Sequence, residues 1–251
     1  MRPKTPQQTK YSPARGEILK LFPQTLFRGF MPIDLDVVAD DVRSFVQMVK
    51  DKGEQDKYSN YTTYFDADIR NEQHGLPWWN TFANIIKDSY IEFIRTQWNS
   101  EVHYLNRKKI HLYAWMNRYE KIHAHPQHNH VNSMVSGTWY IKTQGLSPIK
   151  FTSPSATTDF GTKANMYNFD CPQYRDIKYW GTEGVQTEAS IHPRDGEFLL
   201  WPSSLFHGVE IADAGHEEYE RISISFNLSH NERLGDTGWG DQMSYSFLED
   251  K

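Results

Sequence analysis

The chain has 251 residues, of which 38% are hydrophobic, and its formal net charge is −5. A chain of this length and composition can bury a full core, and one β-rich domain is its ordinary organisation. The acidic balance excludes the concentrated basic face that nucleic acids and anionic membranes require, so we expect neither as a partner.

The single cysteine, Cys171, excludes an internal disulfide framework and a zinc site built on thiolates. The N-terminal segment lacks the apolar core of a signal peptide, and no apolar run approaches the roughly 20 residues of a membrane helix. We therefore expect a cytoplasmic protein. The sequence leaves its oligomeric state open, a homodimer included.

Residues 1–19 are polar and have no hydrophobic period, which predicts an extended leader, and residues 20–251 are predicted to form one domain. Apolar residues at three- and four-residue steps between Ile33 and Lys50, behind a capping Asp34, predict an amphipathic helix. A second helical pattern follows residue 80 and ends near residue 98. Helices are thus expected mainly in 33–98.

The hydrophobic period changes to two in the C-terminal half, which predicts short core strands within residues 110–227. The predicted strands are His111–Asn117, Met134–Lys142, Ile149–Thr152, Glu197–Trp201, Leu205–Glu210 and Tyr219–Asn227. Short strands without intervening helices favour antiparallel pairing in a sandwich, jelly roll or small barrel, with the helices over one face. The long stretch Ser153–Asp195 is either a lid or substrate loop or a surface excursion.

Eleven histidines are present, and four of them lie within residues 123–130. On an extended segment, the two imidazoles of His128-Asn129-His130 project to the same side and can share a metal ion. The alternative is a solvated loop with surplus histidines. His123 and His125 have the same spacing, so the residues alone do not choose between the two pairs.

His207 offers a third ligand, because it lies among strongly apolar residues on a later predicted strand. Taken alone, it could equally be a hydrogen-bonded histidine of the core or of a sheet edge. The predicted metal ligands are His128, His130 and His207.

The segment Tyr219–Asn227 alternates strictly, with apolar residues toward the core and Arg221, Ser223, Ser225 and Asn227 on the other face. A guanidinium and a hydroxyl two residues apart suit a carboxylate in a cavity, although a solvated edge strand would show the same pattern. By strand alternation, Tyr113, Trp115, Asn117 and Thr138 are further candidates to line this cavity. We therefore name Arg221, Ser223, Tyr113 and Asn117 as candidate cofactor-binding residues.

Imidazole ligands suit iron, zinc, copper or nickel, and an open site beside a carboxylate anchor fits non-haem iron with a keto acid best. The motifs that bear on this choice are Leu21–Phe27, Ala114–Asn117, His128–Tyr140, Gly196–His207 and Arg221–Asn227. In order and spacing they resemble the 2-oxoglutarate/iron(II) oxygenases related to prolyl hydroxylases and phytanoyl hydroxylases, which occur in bacteria and marine phages.

The resemblance implies a double-stranded β-helix, or jelly roll, in which the His-x-His pair and the distal histidine meet at one end and Arg221 lies deeper. It also selects between the two histidine pairs, because the family pair precedes a Ser-Gly by six residues, as His130 precedes Ser136. The implied cofactors are Fe(II), 2-oxoglutarate and O2. The implied activity is hydroxylation of an unactivated C–H bond in a protein or small-molecule substrate, with release of succinate and CO2.

Most such oxygenases have a carboxylate at the middle ligand position, where this chain has His130. A neutral ligand leaves iron one negative charge poorer, which bears on the outcome of the reaction. Two alternatives stay open on the sequence. One is a three-histidine dioxygenase of the cupin type that uses no keto acid, and the other is a metal- or ligand-binding jelly-roll module without turnover.

Overall fold

The computed structural model describes residues 25–52, 61–98, 110–119, 125–130, 133–143, 148–152, 188–209 and 220–230. The predicted leader 1–19, most of the long stretch 153–195, and His123 lie outside these residues. The predicted domain boundary and the predicted role of that stretch therefore stay predictions.

Both predicted helices are confirmed. Helix α1 spans Leu35–Asp51, and the Asp34 carboxylate accepts hydrogen bonds from the backbone N of Asp36 and Val37 at 3.0 and 3.4 Å. Helix α3 spans Trp79–Trp98. A short helix α2 at Ala67–Glu72, followed by a 3₁₀ turn at Gln73–Gly75, lies between them and was not predicted. No helix in the described segments is long and apolar enough to cross a membrane.

Nine strands occur in the described segments. They are β1 (Phe27–Phe30), β2 (His111–Tyr119), β3 (His125–His128), β4 (Val135–Lys142), β5 (Ile149–Thr152), β6 (Glu188–Ile191), β7 (Glu197–Pro202), β8 (Phe206–Val209) and β9 (Arg221–Ser229). All six predicted strands are present, with ends that differ by up to two residues. Three strands were missed, namely β1, β3 and β6.

The strands form two antiparallel sheets. The large sheet has the order β1-β7-β4-β9-β2, and the small sheet has the order β3-β8-β5-β6. From β2 onward the chain alternates between the sheets except at β5 and β6, which are consecutive in the small sheet, so that β2, β4, β7 and β9 lie in one layer and β3, β5, β6 and β8 in the other. This arrangement is the predicted double-stranded β-helix.

Two apolar clusters hold these layers together. Helices α1 and α3 cover the outer face of the large sheet, where the Phe82 ring stacks on Trp139 at 5.5 Å between centroids and meets Phe226 edge-on at 5.8 Å. The second cluster lies between the sheets and includes Phe151 and Trp201, whose rings are 5.2 Å apart. Because the helices take only the outer face, the inner face of the large sheet is left to line a cavity.

The start of β9 is tied to three other elements by Glu220. Its carboxylate accepts from Arg43 of α1 at 2.7 and 2.9 Å, from Arg118 of β2 at 2.9 Å and from Lys142 of β4 at 2.7 Å. The hydrogen bond from Arg43, followed by those from Lys142 and Arg118, holds the pKa of Glu220 well below its usual range despite partial burial. The residue that follows, Arg221, is thereby fixed in register.

Candidate metal centre and cavity

The three predicted metal ligands converge between the sheets. His128 ends β3 and lies directly opposite His207 of β8, with 4.4 Å between ring centroids. His130 follows β3, and its backbone N donates to the Ser203 carbonyl at 2.9 Å, which turns the ring back toward the other two. One ligand nitrogen from each residue lies within 4.8 Å of the other two. The strand pairing therefore forms a three-imidazole site.

Two of these rings are held by backbone carbonyls. Nδ1 of His128 lies 2.9 Å from the Pro126 carbonyl oxygen, and Nδ1 of His207 lies 3.0 Å from that of Leu205. A carbonyl oxygen only accepts, so Nδ1 carries the hydrogen in both rings and Nε2 keeps a free lone pair. Metal-binding histidines are typically oriented in this way by a hydrogen bond from the nitrogen that faces away from the metal.

Burial keeps the imidazoles of His130 and His207 neutral. It lowers the pKa of His207 to about 3, although the Leu205 carbonyl acts in the opposite direction. It also lowers the pKa of His130 to about 4, with a smaller contribution from the neighbouring His128. Since a metal ion binds the neutral imidazole, both residues are ready for a metal at neutral pH.

His125 lies beside the group of three without joining it. Its ring stacks on His128 with 4.4 Å between centroids, and it lines the cavity. Burial, followed by the charges of His128 and Arg221, lowers the pKa of His125 to about 4. This placement indicates that His125 packs against the proposed metal ligand His128. It does not support the role of metal ligand that the spacing of His123 and His125 left open.

Arg221 occupies the deeper part of the cavity. It is buried, and its guanidinium lies over the rings of Tyr140 and Tyr119, 5.4 and 5.9 Å from their centroids. Its Nε and the Tyr140 hydroxyl are buried and form no hydrogen bond of full geometry with the described residues, although Thr138 and Arg221 lie close enough to the phenol to oppose the rise in its pKa. Such groups are costly to bury unless something pairs with them. The cavity is therefore suited to an anion at this end.

The other predicted cofactor-binding residues are distributed unevenly. Ser223 and Asn117 line the cavity, and the Asn117 amide donates to the Ser225 hydroxyl at 3.1 Å. Tyr113 is not among the lining residues. It packs instead against Arg70, 4.6 Å from the ring centroid, and edge-on against Tyr64. This placement gives no support to a cofactor role for Tyr113.

Tyr140 and Tyr119 are cavity residues that the sequence reasoning missed. Tyr140 lies on β4 two residues after Thr138, and Tyr119 lies on β2 two residues after Asn117, so each shares the inward face of a predicted lining residue. Strand alternation carried one step further would have found both. Trp115 and Thr138, the other candidates from alternation, also line the cavity.

The cavity thus has two chemically different ends. The outer end presents three imidazole nitrogens, which suit a divalent transition metal, and the inner end presents a buried guanidinium with hydroxyl groups. The described lining residues include no Asp or Glu, so no carboxylate from them completes the ligand set. A small molecule that binds metal at one end and carries a carboxylate at the other fits both ends.

All the described residues that line the cavity fall within one segment that matches the model of a known family. Residues 113–227 match the model of the family described as "Putative 2OG-Fe(II) oxygenase". The segment contains all three histidines, Tyr140 and Arg221. No protein of curated function matches the chain.

Three solved structures illustrate the range of similarity. A Pseudomonas putida prolyl-4-hydroxylase is 10% identical over 83% of this chain and 94% of its own, with a TM-score of 0.46. HygX from Streptomyces hygroscopicus with nickel and 2-oxoglutarate bound is 12% identical over 83% and 84%, with a TM-score of 0.44. An oxidoreductase of the 2OG-Fe(II) oxygenase family from Burkholderia pseudomallei is 12% identical over 50% of this chain and 48% of its own, with a TM-score of 0.33. This chain therefore spans about half of the length of that protein.

Proposed function

Because residues 113–227 match the model of the 2-oxoglutarate/iron(II) oxygenases, which are oxidoreductases, we propose that this chain hydroxylates an unactivated C–H bond. One atom of O2 enters the substrate as the hydroxyl oxygen, and the other enters succinate. The substrate C–H bond is replaced by C–O–H, so the substrate loses no atom, and 2-oxoglutarate supplies two electrons as it is oxidised to succinate with loss of CO2. The observation that carries this proposal is that the three histidines and Arg221 share one cavity.

In this proposal His128, His130 and His207 hold the iron through Nε2. When bound, iron(II) supplies the site at which the keto acid is chelated and O2 is reduced. The carbonyls of Pro126 and Leu205 keep two of the rings in the binding tautomer. The chain's own contribution at this end is orientation, together with a buried setting that keeps His130 and His207 neutral.

Arg221 binds the far carboxylate of 2-oxoglutarate. A guanidinium pairs with a carboxylate through two parallel hydrogen bonds, and Arg221 Nε has no other partner among the described residues. The Ser223 and Tyr140 hydroxyls line the same end and donate further hydrogen bonds. Because burial raises the pKa of Tyr140 to about 12, its phenol keeps its proton at neutral pH.

The substrate binds at the outer part of the cavity, near the metal. Trp115 lies there, with its ring 6.1 Å from that of His130. The substrate is a protein side chain or a small molecule, and the predicted loop 153–195 contributes to its choice. With His130 in the place of a carboxylate, the iron site carries one negative charge fewer than in most such oxygenases, and hydroxylation is the outcome to be tested.

The reaction is tested by supplying the purified protein with Fe²⁺, 2-oxoglutarate and O2. We expect slow formation of succinate even without substrate, and faster formation with a substrate that the protein accepts. The measurement is succinate per protein over time, with Mn²⁺ in place of Fe²⁺ as a control. Absence of succinate, together with absence of 2-oxoglutarate binding to the iron form, would contradict the proposal.

Arg221→Ala tests the anchor. It removes two charge-assisted hydrogen bonds, so we expect 2-oxoglutarate to bind the iron form about 100-fold more weakly, which corresponds to about 2.7 kcal/mol. Binding is followed by titration calorimetry, and Arg95→Ala on the exposed face of α3 is the matched control. Unchanged affinity in Arg221→Ala would show that the carboxylate binds elsewhere.

A further inference from the structure

His130 differs from the other two proposed ligands in what holds its ring. The rings of His128 and His207 each place Nδ1 against a backbone carbonyl, whereas Nδ1 of His130 lies 3.3 Å from the side-chain nitrogen Nδ2 of Asn227 on β9. A side-chain amide can donate or accept, according to which of its two ends is presented. The orientation of this amide therefore decides which nitrogen of His130 is free.

An amide that donates through Nδ2 to Nδ1 would leave the hydrogen of His130 on Nε2, and that nitrogen would have no lone pair for a metal. A half-turn of the Asn227 side chain exchanges its nitrogen and oxygen almost without changing its shape. The carbonyl oxygen Oδ1 then accepts from Nδ1–H of His130. After this turn all three rings have a hydrogen on Nδ1, an acceptor beside it and a free Nε2.

The surroundings of Asn227 permit this half-turn. Its Oδ1 accepts from the Ser136 hydroxyl at 2.8 Å, and Ser136 is 2.8 Å from the hydroxyl of Ser203, which is 2.7 Å from that of Ser133. Each hydroxyl can donate or accept, so the row of three can reverse its direction and receive a hydrogen bond from Asn227 Nδ2. In both orientations the Asn227 amide and the hydroxyls of Ser136 and Ser203 keep hydrogen-bond partners among the described residues.

The same row also positions the backbone of His130. The Ser203 carbonyl accepts from the His130 backbone N at 2.9 Å, and the backbone N of Ser203 donates to the Met134 carbonyl at 3.0 Å. Ser203 and Ser136 are both 1% exposed, so water does not compete for these bonds. Asn227 is thus held at a fixed distance from the ring that it faces.

We propose that Asn227 is a positioning residue, which presents its side-chain oxygen to Nδ1–H of His130 when the metal binds and so directs Nε2 to the metal. The inference rests on the proposed role of His130 as a ligand. It assigns to Asn227 the orienting function that the Pro126 and Leu205 carbonyls have for the other two rings. A hydrogen bond from Nδ1–H to the amide oxygen also makes Nε2 of His130 a stronger electron-pair donor to the metal. This matters in a site where a neutral histidine replaces a carboxylate.

The test uses two substitutions of opposite chemistry. Asn227→Asp can only accept, so it keeps the hydrogen bond from Nδ1–H, whereas Asn227→Leu can do neither. We measure Co²⁺ affinity and the visible absorption of the Co²⁺ form, with melting temperatures of the metal-free proteins recorded alongside. Asn80→Asp, on the exposed start of α3, is the control for an added charge.

We expect Asn227→Asp to bind Co²⁺ at least as tightly as wild type with shifted absorption bands, and Asn227→Leu to bind it about 10- to 100-fold more weakly. Equal weakening by both substitutions would overturn the inference, since it is the result expected if Asn227 donates to His130 or serves packing alone. Wild-type affinity in Asn227→Leu would overturn it too. Failure of the wild-type protein to bind Co²⁺ would overturn the metal centre itself, and the inference with it.

A second measurement needs no substitution. In ¹⁵N-histidine spectra of the Zn²⁺-loaded wild-type protein, three liganded imidazoles are expected, each with its hydrogen on Nδ1. A liganded ring without this hydrogen would overturn the inference. This result does not depend on whether the Asn227 variants fold.

Discussion

At the scale of single residues, the cavity is marked by buried polar groups that form no hydrogen bond of full geometry with the described part of the fold. Arg221 Nε and the Tyr140 hydroxyl are two such groups, and both point to the end proposed to bind a carboxylate. An unsatisfied buried group costs about 1–3 kcal/mol, which the protein recovers only when the ligand arrives. Binding and stability are therefore expected to oppose each other at these residues.

Tyr140→Phe separates the two effects. Removal of this buried hydroxyl, which forms no hydrogen bond of full geometry with the described residues, should raise the melting temperature of the ligand-free protein by about 2–4 °C per kcal/mol gained. The same change should weaken 2-oxoglutarate binding about 5- to 10-fold, through the loss of one hydrogen bond. Calorimetric melting and ligand titration measure both quantities.

Tyr90→Phe is the matched comparison, because the Tyr90 hydroxyl lies 2.6 Å from Nδ1 of His230 and is already satisfied. We expect this substitution to lower the melting temperature and to leave 2-oxoglutarate binding unchanged. A fall in melting temperature in Tyr140→Phe would show that its hydroxyl has a stabilising partner.

At the scale of elements, the sequence predicted the inward residues of those strands in which apolar and polar residues alternate clearly. Strand β9 alternates strictly, so the inward placement of Arg221 and Ser223 followed directly. Strand β4 is buried on both faces, so hydrophobicity alone does not mark its inward face, and Tyr140 follows only from counting two residues on from Thr138. Alternation also gives a face and not a depth, which is why Tyr113 shares the face of Asn117 but lies beyond the cavity.

Strand β3 was missed for a different reason. Its sequence, His-Pro-Gln-His, has no apolar residue, and proline is disfavoured within strands. The strand exists because β8 pairs with it, which is a long-range effect that a local pattern cannot show. Sequence spacing nevertheless predicted that His128 and His130 share one side, since only extended backbone was needed for that.

Gly208→Ala tests the contact between these two strands. A Cβ atom at Gly208 would lie 2.7 Å from the His125 carbonyl oxygen, so β3 must move away from β8. Since β3 carries His128 and β8 carries His207, this movement separates the two imidazoles. We therefore expect Co²⁺ affinity to fall at least 10-fold. Spectroscopic titration of the variant with Co²⁺ measures this.

Gly75→Ala is the control for the glycine change, because a Cβ atom there would meet nothing within 4 Å. It should bind Co²⁺ like wild type. If Gly208→Ala also binds Co²⁺ normally, the close approach of the two strands does not set the ligand geometry.

At the scale of the whole molecule, Glu220 connects helix α1 with strands β2, β4 and β9. Its pKa is held below the usual value of 4.5, chiefly by the hydrogen bond from Arg43. A carboxylate whose pKa is lowered by folding stabilises the folded state above its unfolded pKa. That contribution is lost as pH falls through the acidic range toward the folded pKa.

We expect Glu220→Gln to reduce the free energy of unfolding by about 2 kcal/mol at neutral pH, because three cations lose their shared partner. The difference from wild type should shrink as the pH falls below about 4. Urea unfolding at several pH values measures it. Asp40→Asn, which removes a 76% exposed partner of Arg43, should change stability by less than about 0.5 kcal/mol at any pH. A pH-independent difference for Glu220→Gln would rule out this electrostatic role.

The division of the proposed site between the two sheets has a consequence for the thermal stability of the protein. His128 and His207 belong to the small sheet, whereas Arg221 belongs to the large one. A keto acid that is bound to metal at one end and to Arg221 at the other would tether the two layers, adding about 2.7 kcal/mol at a concentration 100 times its Kd. The unfolding temperature of this protein would then rise with the concentration of 2-oxoglutarate in solution.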